Sequence, residues 1–353
     1  MMMDFESLME EATELPNGPA KIELLEQAIR VADAAGDIEQ GFEARSELVE
    51  VASFSGYPKK ALVAFSWQLG QYDKDPELFM DEMYDLLWSY KWILDNITSF
   101  PEISMKQIED LLEDMKRRVK AEGYSDRLYH YYRFTLEVMT GNLEHAEDHL
   151  RKAQAEERDD LSDCIACEQN ILVQYYTNAG KDEKAIAAAK PMMDGKMRCA
   201  AVPHATYPMI LLPLYRADRL KEAEDLARKG YRLIRGNRDF INSAGYLISY
   251  LKHTDPIRGL EVFEEFAPLA IDHESPLDRL FFYGPAAALL KRLSQENERI
   301  SIRFPASFPY FGAREDVEQL AAIYEEEARK LAAQFDRRNG NSYHSDYLNS
   351  LLS

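Results

Sequence analysis

Four six-residue stretches share one grammar: Gly56-Tyr57-Pro58-Lys59-Lys60-Ala61, Gly141-Asn142-Leu143-Glu144-His145-Ala146, Gly180-Lys181-Asp182-Glu183-Lys184-Ala185 and Asp218-Arg219-Leu220-Lys221-Glu222-Ala223. Each ends in alanine at the same offset, and Thr254-Asp255-Pro256-Ile257-Arg258-Gly259 repeats the offset with glycine. The physical sense is a helix stop at a residue tolerant of left-handed backbone, a tight turn, and a second helix with a small residue where two helices approach closely. Phe65, Leu150, Ala189, Ala227 and Phe263 follow four residues later, one turn along the same helical face. The anchors Ala146, Ala185, Ala223 and Gly259 are spaced by 39, 38 and 36 residues, and the 85 residues from Ala61 to Ala146 leave room for one more pair.

Outward from these connectors, apolar residues recur at steps of three and four from Lys21 onward, as Ile22, Leu25, Ile29 and Ala32 show, which is the period of amphipathic helices. Asp75-Pro76, Asp255-Pro256 and Ser275-Pro276 each place a capping side chain before a proline at a helix start, and Ser104 with Gln107 reads as a capping box. Period-two alternation is rare and short, so the chain reads as all-α. Eight helical pairs or near-pairs are expected: 4–35, 39–72, 77–121, 124–157, 161–193, 204–235, 239–270 and 277–338. Pro208 and Pro213 predict a break in the helix that holds them. The stretch from Ile300 to Gly312 carries several aromatics and two prolines and reads as a non-helical segment, spanning 299–313, that something must cover. One domain over 1–338 is expected, followed by a polar tail at 339–353.

Composition narrows the function. Of 353 residues, 62 are Asp or Glu and 42 Lys or Arg, a formal charge of −20, which argues against a nucleic-acid binder because phosphate neutralisation needs a basic surface. No apolar run reaches the roughly 18 residues of a membrane span, and Met1 to Glu14 lacks the basic-then-apolar order of a signal peptide. Three cysteines, Cys164, Cys167 and Cys199, fit a reducing compartment, so the expected location is cytoplasmic.

The connectors resemble the tetratricopeptide repeat family over roughly Gln40 to Ala270, although the period is longer than the family's 34 and the family's Trp and Gly in the first helix are mostly missing. The resemblance implies a right-handed superhelix, a solenoid of about seven to eight antiparallel helix pairs, with the first helix of each pair lining a concave groove. In that register the groove side includes Glu43, Glu47 and Glu50, then Trp88 and Trp92, then Tyr131 and Tyr132, then Asn170, Gln174 and Asn178, then Arg216. A glutamate row followed by aromatics suits a basic or amphipathic peptide, with tryptophan faces able to take Arg or Lys, and paired amides can grip a peptide backbone.

Chemical motifs are sparse. His145 and His149 share a helical face but lack the glutamate that zinc peptidases place after the first histidine. Cys164-Ile165-Ala166-Cys167 has half-site spacing without a second half-site, and reads as two partly buried helical thiols. No phosphate loop or nucleophile elbow appears. The expectation is therefore a non-catalytic scaffold for a protein or peptide segment, with no cofactor, metal, nucleic acid or membrane partner. The alternative is a sensor of a small signalling peptide, similar to bacterial tetratricopeptide receptors that change curvature on binding. A metal-dependent enzyme ranks below both.

Overall fold

In a computed structural model, residues 4–296 and 300–353 are described; they form α-helices and short 3-10 turns, with no strand among the described residues. The helices are α1 (Phe5–Glu14), α2 (Pro19–Ala35), α3 (Ile38–Ser53), α4 (Pro58–Lys74), α5 (Met83–Ile97), α6 (Met105–Ala121), α7 (Arg127–Thr140), α8 (Leu143–Ala155) and α9 (Ile165–Asn178). There follow α10 (Asp182–Met193), α11 (Thr206–Arg216), α12 (Leu220–Ile234), α13 (Ile241–Thr254), α14 (Pro256–Ala270), α15 (Pro276–Gln295), α16 (Val317–Asn339) and α17 (Tyr343–Leu352). No helix among the described residues is long and apolar enough to cross a membrane.

The connectors behave as the sequence dictates. Gly56, Gly141 and Gly180 adopt positive φ of 74°, 83° and 64°, and Asp218 occupies the same left-handed position at 56° without the freedom of glycine. The four alanine anchors are fully buried. At Gly259 an added Cβ would sit 3.2 Å from Leu289 Cδ1, so the anchor positions are small because a neighbouring helix occupies the space. Ser104 and Gln107 form the reciprocal capping box, and Asp255 and Ser275 cap α14 and α15 by accepting backbone N–H groups at 3.1 Å.

Two expectations fail locally. Asp75 accepts the N–H of Leu78 at 3.3 Å and caps only a turn; the following helix starts at Met83, after a 3-10 turn over Met80–Glu82. The break expected at Pro208 or Pro213 does not occur, since α11 continues from Thr206 to Arg216. Pro208 lies in the first turn, where an N–H would have no helical partner, and buried Pro213 is held by the surrounding core.

Odd-numbered helices touch one another in succession from α3 to α15, and each also touches an adjacent even-numbered helix. Leu172 and Tyr176 on α9 pack against both large core clusters, joining the apolar interior of the N-terminal half to that of the C-terminal half. Distant segments also meet directly. Arg338 donates to the carbonyls of Thr98 and Phe100 at 2.7 and 3.1 Å, the N–H of Leu277 reaches Ser99 at 3.4 Å, and Asn341 donates to the carbonyl of Thr140 at 2.8 Å.

The segment after residue 300 is non-helical apart from the 3-10 turn Phe311–Ala313; Arg299, its expected first residue, lies outside the described residues, as do residues 1–3. Phe304 lies 4.2 Å from Phe308 with the rings tilted and meets Phe263 of α14 at 5.8 Å, while Tyr310 meets Tyr324 of α16 at 6.0 Å. Arg303 donates to Glu264 at 2.8 Å. This segment covers α14 and α16. The expected polar tail is largely helical: Asp336 accepts the N–H groups of His344 and Ser345 at 2.9 and 3.1 Å, which starts α17, and Leu348 buries against Gly284.

Candidate functional site: an acidic chamber and its groove

The odd-numbered helices turn polar residues toward a common interior. A cavity of about 230 Å³ is lined by Asp95, Asn96 and Ser99 at the end of α5, Asn170 and Gln174 of α9, Asp239, Asn242 and Ser243 at the start of α13, and Asp278 of α15. Its apolar wall is Met139, Met209, Tyr246, Leu277 and Phe281. Met209, Tyr246 and Phe281 also line a larger groove of about 720 Å³, whose far wall is α17 through Tyr343, Tyr347 and Leu351.

Three carboxylates in this chamber lack a full ionic partner. Burial pushes Asp239 up to about 7, and the neighbouring Asp278 adds to the shift. Asp278 is itself raised by burial, against the opposing pull of His273 and hydrogen bonds from Ser275 and Asn242. Asp95 rises well above the usual carboxylate range through burial and the charge of Asp163, only partly offset by Lys91. Asp95 is itself exposed, and Asp239 and Asp278 are half-buried, so water still reaches these three residues and tempers the effect of burial on them. Elsewhere this protein pairs its buried charges: Arg127 grips Glu168 at 2.8 and 2.9 Å, and Arg45 grips Asp33 at 2.8 and 3.1 Å. Perturbed acids that converge on a cavity make it the candidate site.

The residues expected to form the groove separate into three sets. Asn170 and Gln174 line the chamber, and Asn178 and Arg216 line the larger groove. Asn170 accepts the Thr206 hydroxyl at 2.6 Å, Gln174 lies 3.3 Å from the Met139 sulfur, and Arg216 is held by Asp182 at 2.6 and 2.7 Å. A second set is spent on internal packing. Trp88 already carries a cation, the Lys91 ammonium 2.8 Å from its ring centre, and Trp92 packs edge-on to Phe54 at 5.5 Å. Tyr131 and Tyr132 are buried side by side, their hydroxyls pushed well above the ordinary phenol range by burial and by Asp163 and Asp95. The glutamate row is the third set. Glu47 pairs with buried Lys21 of α2 at 2.6 Å, Glu43 and Glu50 are exposed on the same helix, and none of the three lines the chamber or the groove.

His145 and His149 do not form a pair. His145 is exposed, and His149 turns to His130 of α7, their Nδ1 atoms 3.1 Å apart. Sequence reasoning missed Asp95, Asp239 and Asp278, which read locally as ordinary acids near helix ends. No protein-family model matches the chain, and no curated protein matches it either.

Proposed function

We propose that the chain is a divergent tetratricopeptide-like superhelix that binds a peptide or protein segment on its inner face, without catalysis, and seats a cationic group of that segment in the acidic chamber. The observation that carries this reading is the convergence of Asp95, Asp239 and Asp278 on one cavity that opens into an apolar groove. An ammonium or guanidinium entering the chamber would favour the ionised form of the acid it meets and offset part of the electrostatic cost of holding that charge. Tyr246, Phe281 and Met209 would take the adjoining apolar side chain, and the amides of Asn170, Gln174 and Asn178 would meet backbone groups.

Isothermal titration of the full chain with amphipathic peptides that do or do not carry lysine or arginine tests the proposal. Binding should require the basic residue, should release protons at pH 6, and should weaken at least about tenfold in Asp239→Asn together with Asp278→Asn. Equal binding of basic and neutral peptides would overturn it. The second reading, a sensor of a small signalling peptide, draws on the hydrogen bonds from Arg338 and Asn341 that join distant segments. A ligand-dependent change in radius of gyration by small-angle scattering separates the two.

A further inference from the structure

Cys164, Cys167 and Cys199 converge, although only the first two are close in sequence. Cys164 is the N-cap of α9, and its sulfur accepts the backbone N–H of Cys167 at 3.2 Å. The Cys167 sulfur lies 3.0 Å from that of Cys164 and 3.2 Å from that of Cys199. All three sulfurs fall within 4.8 Å of one another. Cys199 arrives from the connection between α10 and α11, where its N–H donates to the carbonyl of Val202 at 3.0 Å. Cys164 is exposed and the other two are half-buried, so the cluster is open to solvent on one side.

The backbone that carries Cys164 is clamped. Asp163 accepts the Cys164 N–H at 3.1 Å, and the fully buried Lys91 lies 3.9 Å from Asp163 and donates to the Leu161 carbonyl at 3.3 Å. Arg127 binds Glu168 and reaches Ser162 at 3.0 Å, while Arg158 holds Glu168 at 2.5 Å and also donates to the Asp163 carbonyl. Lys91, Arg127 and Arg158 are paired with Asp163 and Glu168, so this network holds the backbone beside the sulfurs rather than supplying a net charge. The first turn of α9 adds the positive end of its dipole, which favours thiolate.

We propose that Cys164, Cys167 and Cys199 together hold one borderline-soft divalent cation of the zinc type, with the fourth coordination position open toward solvent. Zinc–sulfur bonds of about 2.3 Å in a tetrahedron place the sulfurs about 3.8 Å apart, so the contacts of Cys167 with Cys164 and Cys199 need to spread by less than about 1 Å. Three thiolates select soft over hard cations, and on binding the thiols lose their protons to solvent. With three protein ligands and one open position, the site follows the pattern of zinc centres that accept a further ligand rather than that of closed four-ligand structural sites.

The full chain, reduced and freed of metal, is titrated with Co²⁺ and then Zn²⁺. One Co²⁺ per chain should give thiolate charge-transfer bands and strong tetrahedral visible bands, bleached by one Zn²⁺. Cys199→Ser should weaken Zn²⁺ roughly tenfold or more, and zinc should protect all three cysteines from alkylation. Far-UV circular dichroism of metal-free C199S matching the parent shows that the loss belongs to the site; for a variant that does not fold, zinc protection in the parent decides the question. Weak octahedral Co²⁺ spectra, unchanged affinity in C199S, or alkylation unaffected by zinc would overturn the proposal.

Discussion

Two groups of acidic side chains, set about one half of the molecule apart in sequence, are treated in opposite ways. Between α4, α5 and α6, burial pushes Asp114 up, but hydrogen bonds from Tyr90, Arg118 and Arg117 more than reverse it and leave the carboxyl below its usual range. Arg118 completes this network by binding Asp73 at 2.7 and 2.9 Å and Asp114 at 2.8 Å. At the start of α13 and α15, Asp239 and Asp278 are also enclosed, yet no arginine or lysine meets them through a salt bridge among the described residues, and both are raised. The first group is bonded to hold helices together. The second keeps an unmet electrostatic demand facing a cavity, which is a cost to folding that a cation can relieve.

This contrast is open to direct attack. The largest effect should come from Arg118→Ala, which takes the main cation from half-buried Asp114 and should cost about 3 kcal/mol in urea unfolding at pH 7; a loss below 1 kcal/mol would show that the network is ornamental. Asp239→Asn should do the reverse and stabilise the chain by up to about 3 kcal/mol at pH 8. The sign follows from a native pKa of about 7 against an ordinary 3.8: the native carboxyl is favoured while protonated, and its contribution is lost as pH rises through about 7. The gain should therefore vanish near pH 4, and a constant gain at both pH values would refute the assignment.

His149 titrates with the opposite slope. Burial, then the charges of Arg133 and His130, lower it to about 4, so the native state prefers neutral imidazole. Stability should fall as pH drops from 6.5 toward 4, and His149→Asn should remove about 2 kcal/mol of that fall, measured by thermal unfolding across the range. The smallest effect should be Asp218→Gly, where the left-handed φ of 56° is relaxed for a gain of about 0.5 kcal/mol in unfolding free energy, measured by urea unfolding.

Much of the fold was legible because its signals are local. The glycine stops at positions 56, 141 and 180 report a constraint within one turn of chain, the small anchors Ala61, Ala146, Ala185 and Ala223 recur at one fixed offset from the helix stops, and all are realised. Asp75 misled because a capping side chain before proline serves a simple turn as well as a helix. The candidate site was legible only where a residue's helix face fixed its direction, as for Asn170 and Gln174. Trp88 and Trp92 share such a face, but the partners that satisfy them, Lys91 and Phe54, could not be told from free solvent by spacing. Asp239 and Asp278 stand 39 residues apart, the spacing of the repeat itself, but nothing in that spacing marks them as unpaired or brings Asp95 to them; Cys199 stands 32 residues from Cys167, outside any repeat spacing.

Gly245 lies one residue before Tyr246, and a Cβ there would overlap the backbone carbonyl of Phe281. Tyr246 and Phe281 both stand where the chamber meets the groove. The missing methyl thus works as a gauge: it sets how near α13 and α15 lie, and with that the bore of the passage between acidic and apolar space. Any larger residue at this position would ream the passage wider while leaving every lining side chain chemically unchanged.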